Sequence, residues 1–175
     1  KNPRAAWNGT NWLVVFESVD FSGTGYYLTS LEALRVAPDG HVLDPKPIKL
    51  HNMTPGPWAV ASDGSEWVVV SQATPVNNDV VAARISSEGV LLDPGPRSLQ
   101  PAVAYGAENI QLAYAGGVFL LANGTRFDAA LNLLDPVAPS PFDPPLTKLI
   151  ANGSGFYAVW SEQLPDWTMA VKGSR

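Results

Sequence analysis

Arg35–Pro45 reads RVAPDGHVLDP, and the same eleven-residue phrase returns twice, as Arg84–Pro94 (RISSEGVLLDP) and Arg126–Pro136 (RFDAALNLLDP). The arginine and the closing Asp-Pro keep one offset in all three copies, which start 49 and 42 residues apart. A self-similar period of this size marks an array of supersecondary units, none of which buries its apolar face alone. Inside the phrase, two short alternating runs flank a turn, Pro38-Asp39-Gly40 in the first copy and Ser87-Glu88-Gly89 in the second. An acid-glycine pair between alternating hydrophobics predicts a tight hairpin, because glycine takes the positive φ that such turns need. Proline then removes a ladder donor, so the Asp-Pro pair ends the second strand and puts it at a sheet edge. Arg35, Arg84 and Arg126 recur once per unit, as do Asp44, Asp93 and Asp135. Recurrence predicts a structural task for the arginines, bonding a neighbouring unit's carbonyls or these aspartates.

A second element precedes each phrase: an apolar run, a glycine turn, then an aromatic and more apolar residues. The copies are Ala5 to Phe16 (AAWNGTNWLVVF), Val60 to Val70 (VASDGSEWVVV), Leu112 to Leu121 (LAYAGGVFLL) and Leu149 to Trp160 (LIANGSGFYAVW). Asn8-Gly9, Asp63-Gly64, Gly116-Gly117 and Asn152-Gly153 are hairpin dipeptides. The flanking Val, Leu, Trp, Tyr and Phe suit a pleated surface. The Trp residues at 7, 12, 58, 67 and 160 fall on these strands and are expected in the core. The only helix-like run, Leu31 to Arg35 (LEALR), occupies the slot that Val80 to Arg84 (VVAAR) fills in the next unit, and both read as third strands.

Two hairpins per unit give four antiparallel strands, repeated, in one all-β domain spanning 1–175. The units cover about residues 4–56, 57–106, 107–146 and 147–175. In the third, Ala102 to Tyr114 (AVAYGAENIQLAY) offers an earlier register for the first hairpin. The later one is preferred because it leaves Asn123-Gly124 as a two-residue turn before Arg126. In the fourth, Trp167 to Val171 (WTMAV) fits the third strand, and the outer strand is lacking.

On these residues the chain resembles the secreted β-propeller repeats of bacteria, where an Asn/Asp-Gly-Thr/Ser turn, an apolar-aromatic strand and an Arg-Val-x-x-Asp-Gly-x-x-Leu-Asp-Pro phrase recur. The matching residues are Asn8, Gly9, Thr10, Trp12, Leu13, Val14, Val15, Phe16, Arg35, Val36, Asp39, Gly40, Leu43, Asp44 and Pro45. The likeness covers nearly the whole chain. It implies four-stranded blades around an axis and an extracellular or cell-envelope location. Propellers close with about four to eight blades, and members of this type carry more than the four found here. The expectation is therefore that another polypeptide, a second copy or the remainder of a cleaved precursor, completes the ring. An open stack would expose apolar blade faces and a strand edge, which soluble proteins avoid. A compact four-bladed ring of the hemopexin-like kind is the alternative, though the repeat phrase does not match that family.

Only 15% of the residues are charged, against about 25% in typical globular domains, as expected where sheets stack face to face. There is no cysteine, hence no disulfide framework and no thiol chemistry. No apolar run approaches the length of a membrane span, and no leader segment is visible. A net charge of −5 argues against nucleic acid and anionic membranes. Glycosylation sequons start at Asn8, Asn52, Asn123 and Asn152. Three have a central glycine at a predicted turn, and turn chemistry accounts for those three.

No catalytic motif, cofactor signature or metal set is apparent. His41 and His51 lack suitably spaced ligands. Ser62 to Trp67 (SDGSEW) has the residue order of a sialidase Asp-box in compressed form and reads more simply as a turn before a core tryptophan. The one candidate ligand site combines Glu17, Gln72 and Glu162, which follow the aligned aromatics, with Asp20, Asp79, Asp166 and Trp167 in the next loops. In a propeller those loops share one face, where carboxylates and an aromatic could hold a cation or a glycan. Three readings result: a non-catalytic interaction or scaffold module, a carbohydrate-binding module, or a portion of a propeller-fold hydrolase.

Overall fold

The computed structural model describes residues 2–20, 28–52, 56–72, 80–99, 110–135, 148–164 and 169–174. Among these, fourteen strands and no helix occur. They form four separate antiparallel sheets, each taking its strands in chain order.

The first sheet runs β1 (Arg4–Trp7), β2 (Trp12–Asp20), β3 (Leu28–Val36), β4 (Ile48–Asn52). The second runs β5 (Trp58–Ser62), β6 (Trp67–Gln72), β7 (Val80–Ile85), β8 (Arg97–Ser98). The third comprises β9 (Leu112–Ala115), β10 (Val118–Leu121) and β11 (Arg126–Phe127); the fourth comprises β12 (Lys148–Asn152), β13 (Gly155–Gln163) and β14 (Met169–Ser174). The opening hairpins turn where side chains help the backbone. Asn8 Oδ1 accepts from the N–H groups of Thr10 and Asn11, and Asp63 Oδ1 does the same for Ser65 and Glu66. The buried amides of Asn8 and Asn123 both serve such turns.

The repeated phrase departs from its expected shape. The segment after the turn of each phrase is no strand; it contributes single bridges, Val36 to Val42, Ile85 to Leu91 and Phe127 to Leu133. The fourth strand forms beyond the Asp-Pro, at Ile48–Asn52 and Arg97–Ser98. The aspartate explains this. Asp44 turns back and accepts from the Arg35 backbone N–H at 2.6 Å and from its guanidinium. Pro45 and Pro47 then offer no N–H to a ladder, so pairing resumes at Ile48. In the fourth sheet the described part of the last strand is Met169–Ser174; the expected start at Trp167 lies outside the described residues.

Two apolar cores lie between sheets. Leu13, Val15, Leu31, Ala33 and Leu50 of the first sheet pack with Trp58, Trp67, Val69 and Ile85 of the second. Val68, Val70, Val80, Ala82 and Leu99 of the second pack with Ile110, Phe119, Leu121, Phe127 and Leu131 beside or within the third. β6 is therefore buried along its whole length, the reason its sequence, WVVVSQ, lacks polar alternation. Trp58 and Trp67 are core residues, but Trp7 and Trp12 are not. They form a tilted ring pair 5.2 Å apart on the exposed side of the first sheet, and Trp160 is half-buried.

Candidate functional site

The first strands of the four sheets stand side by side, β1 next to β5, β5 next to β9, β9 next to β12. Together they border an open cavity of about 350 Å³ lined by Arg4, Ala5, Ala59, Val60, Gln111, Leu112, Lys148 and Leu149. Those eight residues are one repeated position. Each pair lies five and four residues before a turn glycine of positive φ, namely Gly9, Gly64, Gly116 and Gly153. The hairpin register places every first strand alike, so the same two backbone positions line the cavity from all four sheets.

The polar residues of this lining are Arg4, Gln111 and Lys148. Arg4 reaches from β1 past β5, and its Nη1 donates to the Ile110 carbonyl at 3.3 Å. Gln111 Oε1 accepts from the Leu149 N–H at 2.8 Å, tying the start of β9 to β12. No carboxylate pairs with Arg4 or Lys148 among the described residues. The other lining residues carry no charge. Sequence reading missed this site because its polar groups share only an offset. Arg, Ala, Gln and Lys occupy the first slot in turn, so no motif exists to find. Counting back from each turn glycine is the signal that would have found it.

The candidate residues singled out in the sequence do not assemble. Glu17 and Gln72 occupy equivalent buried positions on β2 and β6, eight residues past their turn glycines. At that position the fourth sheet carries Ser161. Glu162 is one residue on, hence on the opposite face, in an ion pair with Lys172 of β14. Asp20 closes β2, with its side chain outside the described residues, as are Asp79, Asp166 and Trp167. At the cavity, Arg4 pairs with Val15 and Lys148 with Val159, midway along β2 and β13.

The arginines of the repeat form a second, structural constellation. Arg35 binds Asp44 at 2.7 Å, Arg84 binds Asp93 at 2.9 Å and Arg126 binds Asp135 at 2.6 Å. The free arm of each of the first two reaches the following sheet: Arg35 Nη1 to the Ser87 carbonyl at 2.8 Å and Arg84 Nη1 to the Ala129 carbonyl at 3.5 Å. Both acceptors sit three residues after the next arginine. The hydrogen bond from Arg84 holds the Asp93 carboxyl below the usual aspartate range, and Asp93 in turn raises Arg84. Neither histidine joins a ligand set among the described residues. His51 Nε2 lies 2.7 Å from Ser71 Oγ across the first two sheets, and His41 sits in the first phrase's turn.

Comparison with protein-family models, with curated proteins and with solved structures finds no match.

Proposed function

We propose that this chain is a non-catalytic binding or scaffold module of the bacterial cell exterior or envelope, with its sheets arranged as the blades of a β-propeller. One observation carries the reading: the first strands of four successive sheets stand adjacent in order and share one cavity. Blades set around an axis would bring their inner strands together in this way, and the end of such an axis is a common place for ligands. The face-to-face cores support it, and so do the arginines that bond from one sheet to the next. The location rests on the resemblance of the repeats alone.

The same reading has the ring completed by sheets of another polypeptide. Trp12 on the first sheet, and Ile150 and Val171 on the fourth, are large apolar side chains left open to solvent. Native mass spectrometry, with denatured intact masses alongside, tests this. A doubled mass from a single species, or a second chain in the complex, is the expected result. A soluble monomer near 18.6 kDa would overturn ring completion by another chain and leave a compact four-bladed form.

A further inference from the structure

We propose that the cavity between β1, β5, β9 and β12 binds a small organic anion through a single carboxylate or phosphoryl group, with Arg4 and Lys148 as its counter-charges. This rests on reading that end of the molecule as the binding end of the module. The protein as a whole is acidic, with a net charge of −5. Against that background two cations line one cavity whose other residues are uncharged. Among the described residues Arg4 uses only Nη1, on the Ile110 carbonyl, and the Lys148 ammonium has no acceptor. A guanidinium has five N–H donors in a fork matched to carboxylate and phosphate, so Arg4 keeps its Nε and Nη2 donors for a ligand.

Size favours an organic ligand over a bare ion. Small-molecule sites occupy about 300–1,000 Å³, and this cavity offers about 350 Å³. An anionic group held by Arg4 or Lys148 would leave the rest of a small molecule against the first strands of the four sheets. The bond from Leu149 N–H to Gln111 Oε1 braces the wall between the third and fourth sheets, so the site does not need to assemble around its ligand.

Calorimetric titration of the full chain with glucuronate, glycerol 3-phosphate and neutral glucose tests the assignment. At least one anion is expected to bind saturably at millimolar concentration or below. Arg4→Gln and Lys148→Gln should each weaken that binding about tenfold, a single-charge effect in a partly solvated site. Arg4→Lys and Lys148→Arg should largely restore it, and added salt should weaken it. The two anions separate the carboxylate from the phosphoryl alternative. Absence of binding by either anion overturns the proposal, as does anion binding that both charge-removing variants leave unchanged. Glucose binding as well as glucuronate, with no effect of the variants, overturns the anionic assignment while leaving the module reading in place. Ring completion by another chain is judged separately by the mass measurement. Both side chains are exposed, so near-ultraviolet circular dichroism should be unchanged in all four variants.

Discussion

Gly89 is the point at which one phrase of the repeat rests on the next. Its φ is +84°, and a Cβ there would lie 2.7 Å from Arg35 Nε and 3.3 Å from Asp44 Oδ1. Gly40, the same position in the first phrase, has φ +88° and nothing within 4 Å. Both glycines supply the turn, but only Gly89 also makes room for the ion pair of the preceding sheet. A positive φ costs a non-glycine residue about 1–2 kcal/mol. Gly40→Ala should therefore lose about 1 kcal/mol of unfolding free energy in urea, and Gly89→Ala about 2–3 kcal/mol because the pair must also shift. Equal losses would mean that Arg35 does not lie over the second turn. The third phrase shows the limit of reading such positions from sequence. Leu131 stands where the glycine belongs and still takes φ +64°. Asp128 closes that turn, accepting from Ala130 and Asn132, and Leu131 is buried in the core between the second and third sheets. Burying a leucine is worth about 1.5–3 kcal/mol, enough to offset its backbone strain, but which side chains are buried is a tertiary fact that no dipeptide announces.

At the scale of the element, the hairpins before each phrase were legible and the outer strands were not. Asn-Gly, Asp-Gly and Gly-Gly turns between apolar runs leave little freedom over register, and β1–β2, β5–β6, β9–β10 and β12–β13 pair around them. The phrase itself looked like another hairpin because its apolar alternation continues past the turn. What decides its shape is the pull of Asp44, Asp93 and Asp135 back onto their arginines, a competition between side chain and ladder that periodicity does not weigh. Those pairs also differ in worth. The arginine and aspartate side chains of the first two are mostly buried, whereas those of Arg126 and Asp135 are 53% and 20% exposed. Asp44→Asn and Asp93→Asn should each cost about 1–2 kcal/mol after solvent screening, and Asp135→Asn should change stability little. The folded-state pKa of Asp93 is depressed, so its contribution is fully present above the ordinary aspartate value near 3.9 and is lost as pH falls through the lower folded value. Urea midpoints of wild type and Asp93→Asn should stay separated from pH 7 down to about pH 5 and converge below about pH 4. A gap that persists into stronger acid would show that the arginine pairing is not what Asp93 contributes.

For the whole molecule, the sheets meet through an aligned aromatic that changes role with its place in the stack. Three residues past each turn glycine stand Trp12, Trp67, Phe119 and Phe156. Trp67 and Phe119 are fully buried. Trp67 is packed against the first sheet, and its Nε1 donates to the Ala6 carbonyl at 3.0 Å. Trp12 presents the same side chain at the same position but is 42% exposed. Exposed aromatic surface of this kind, next to Trp7 and on a sheet otherwise built for stacking, is what an interface core requires. The two tryptophans should therefore respond to truncation in different ways. Trp67→Ala removes a buried side chain and its hydrogen bond, and should cost about 3–5 kcal/mol whatever the protein's state of assembly. If, as proposed, another chain covers this face, Trp12→Ala should leave the thermal midpoint of the dissociated chain nearly unchanged while shifting the native mass distribution toward the 18.6 kDa species. If Trp12→Ala instead destabilises the lone chain as severely as Trp67→Ala, Trp12 is already covered from within, and the four sheets close on themselves without a partner.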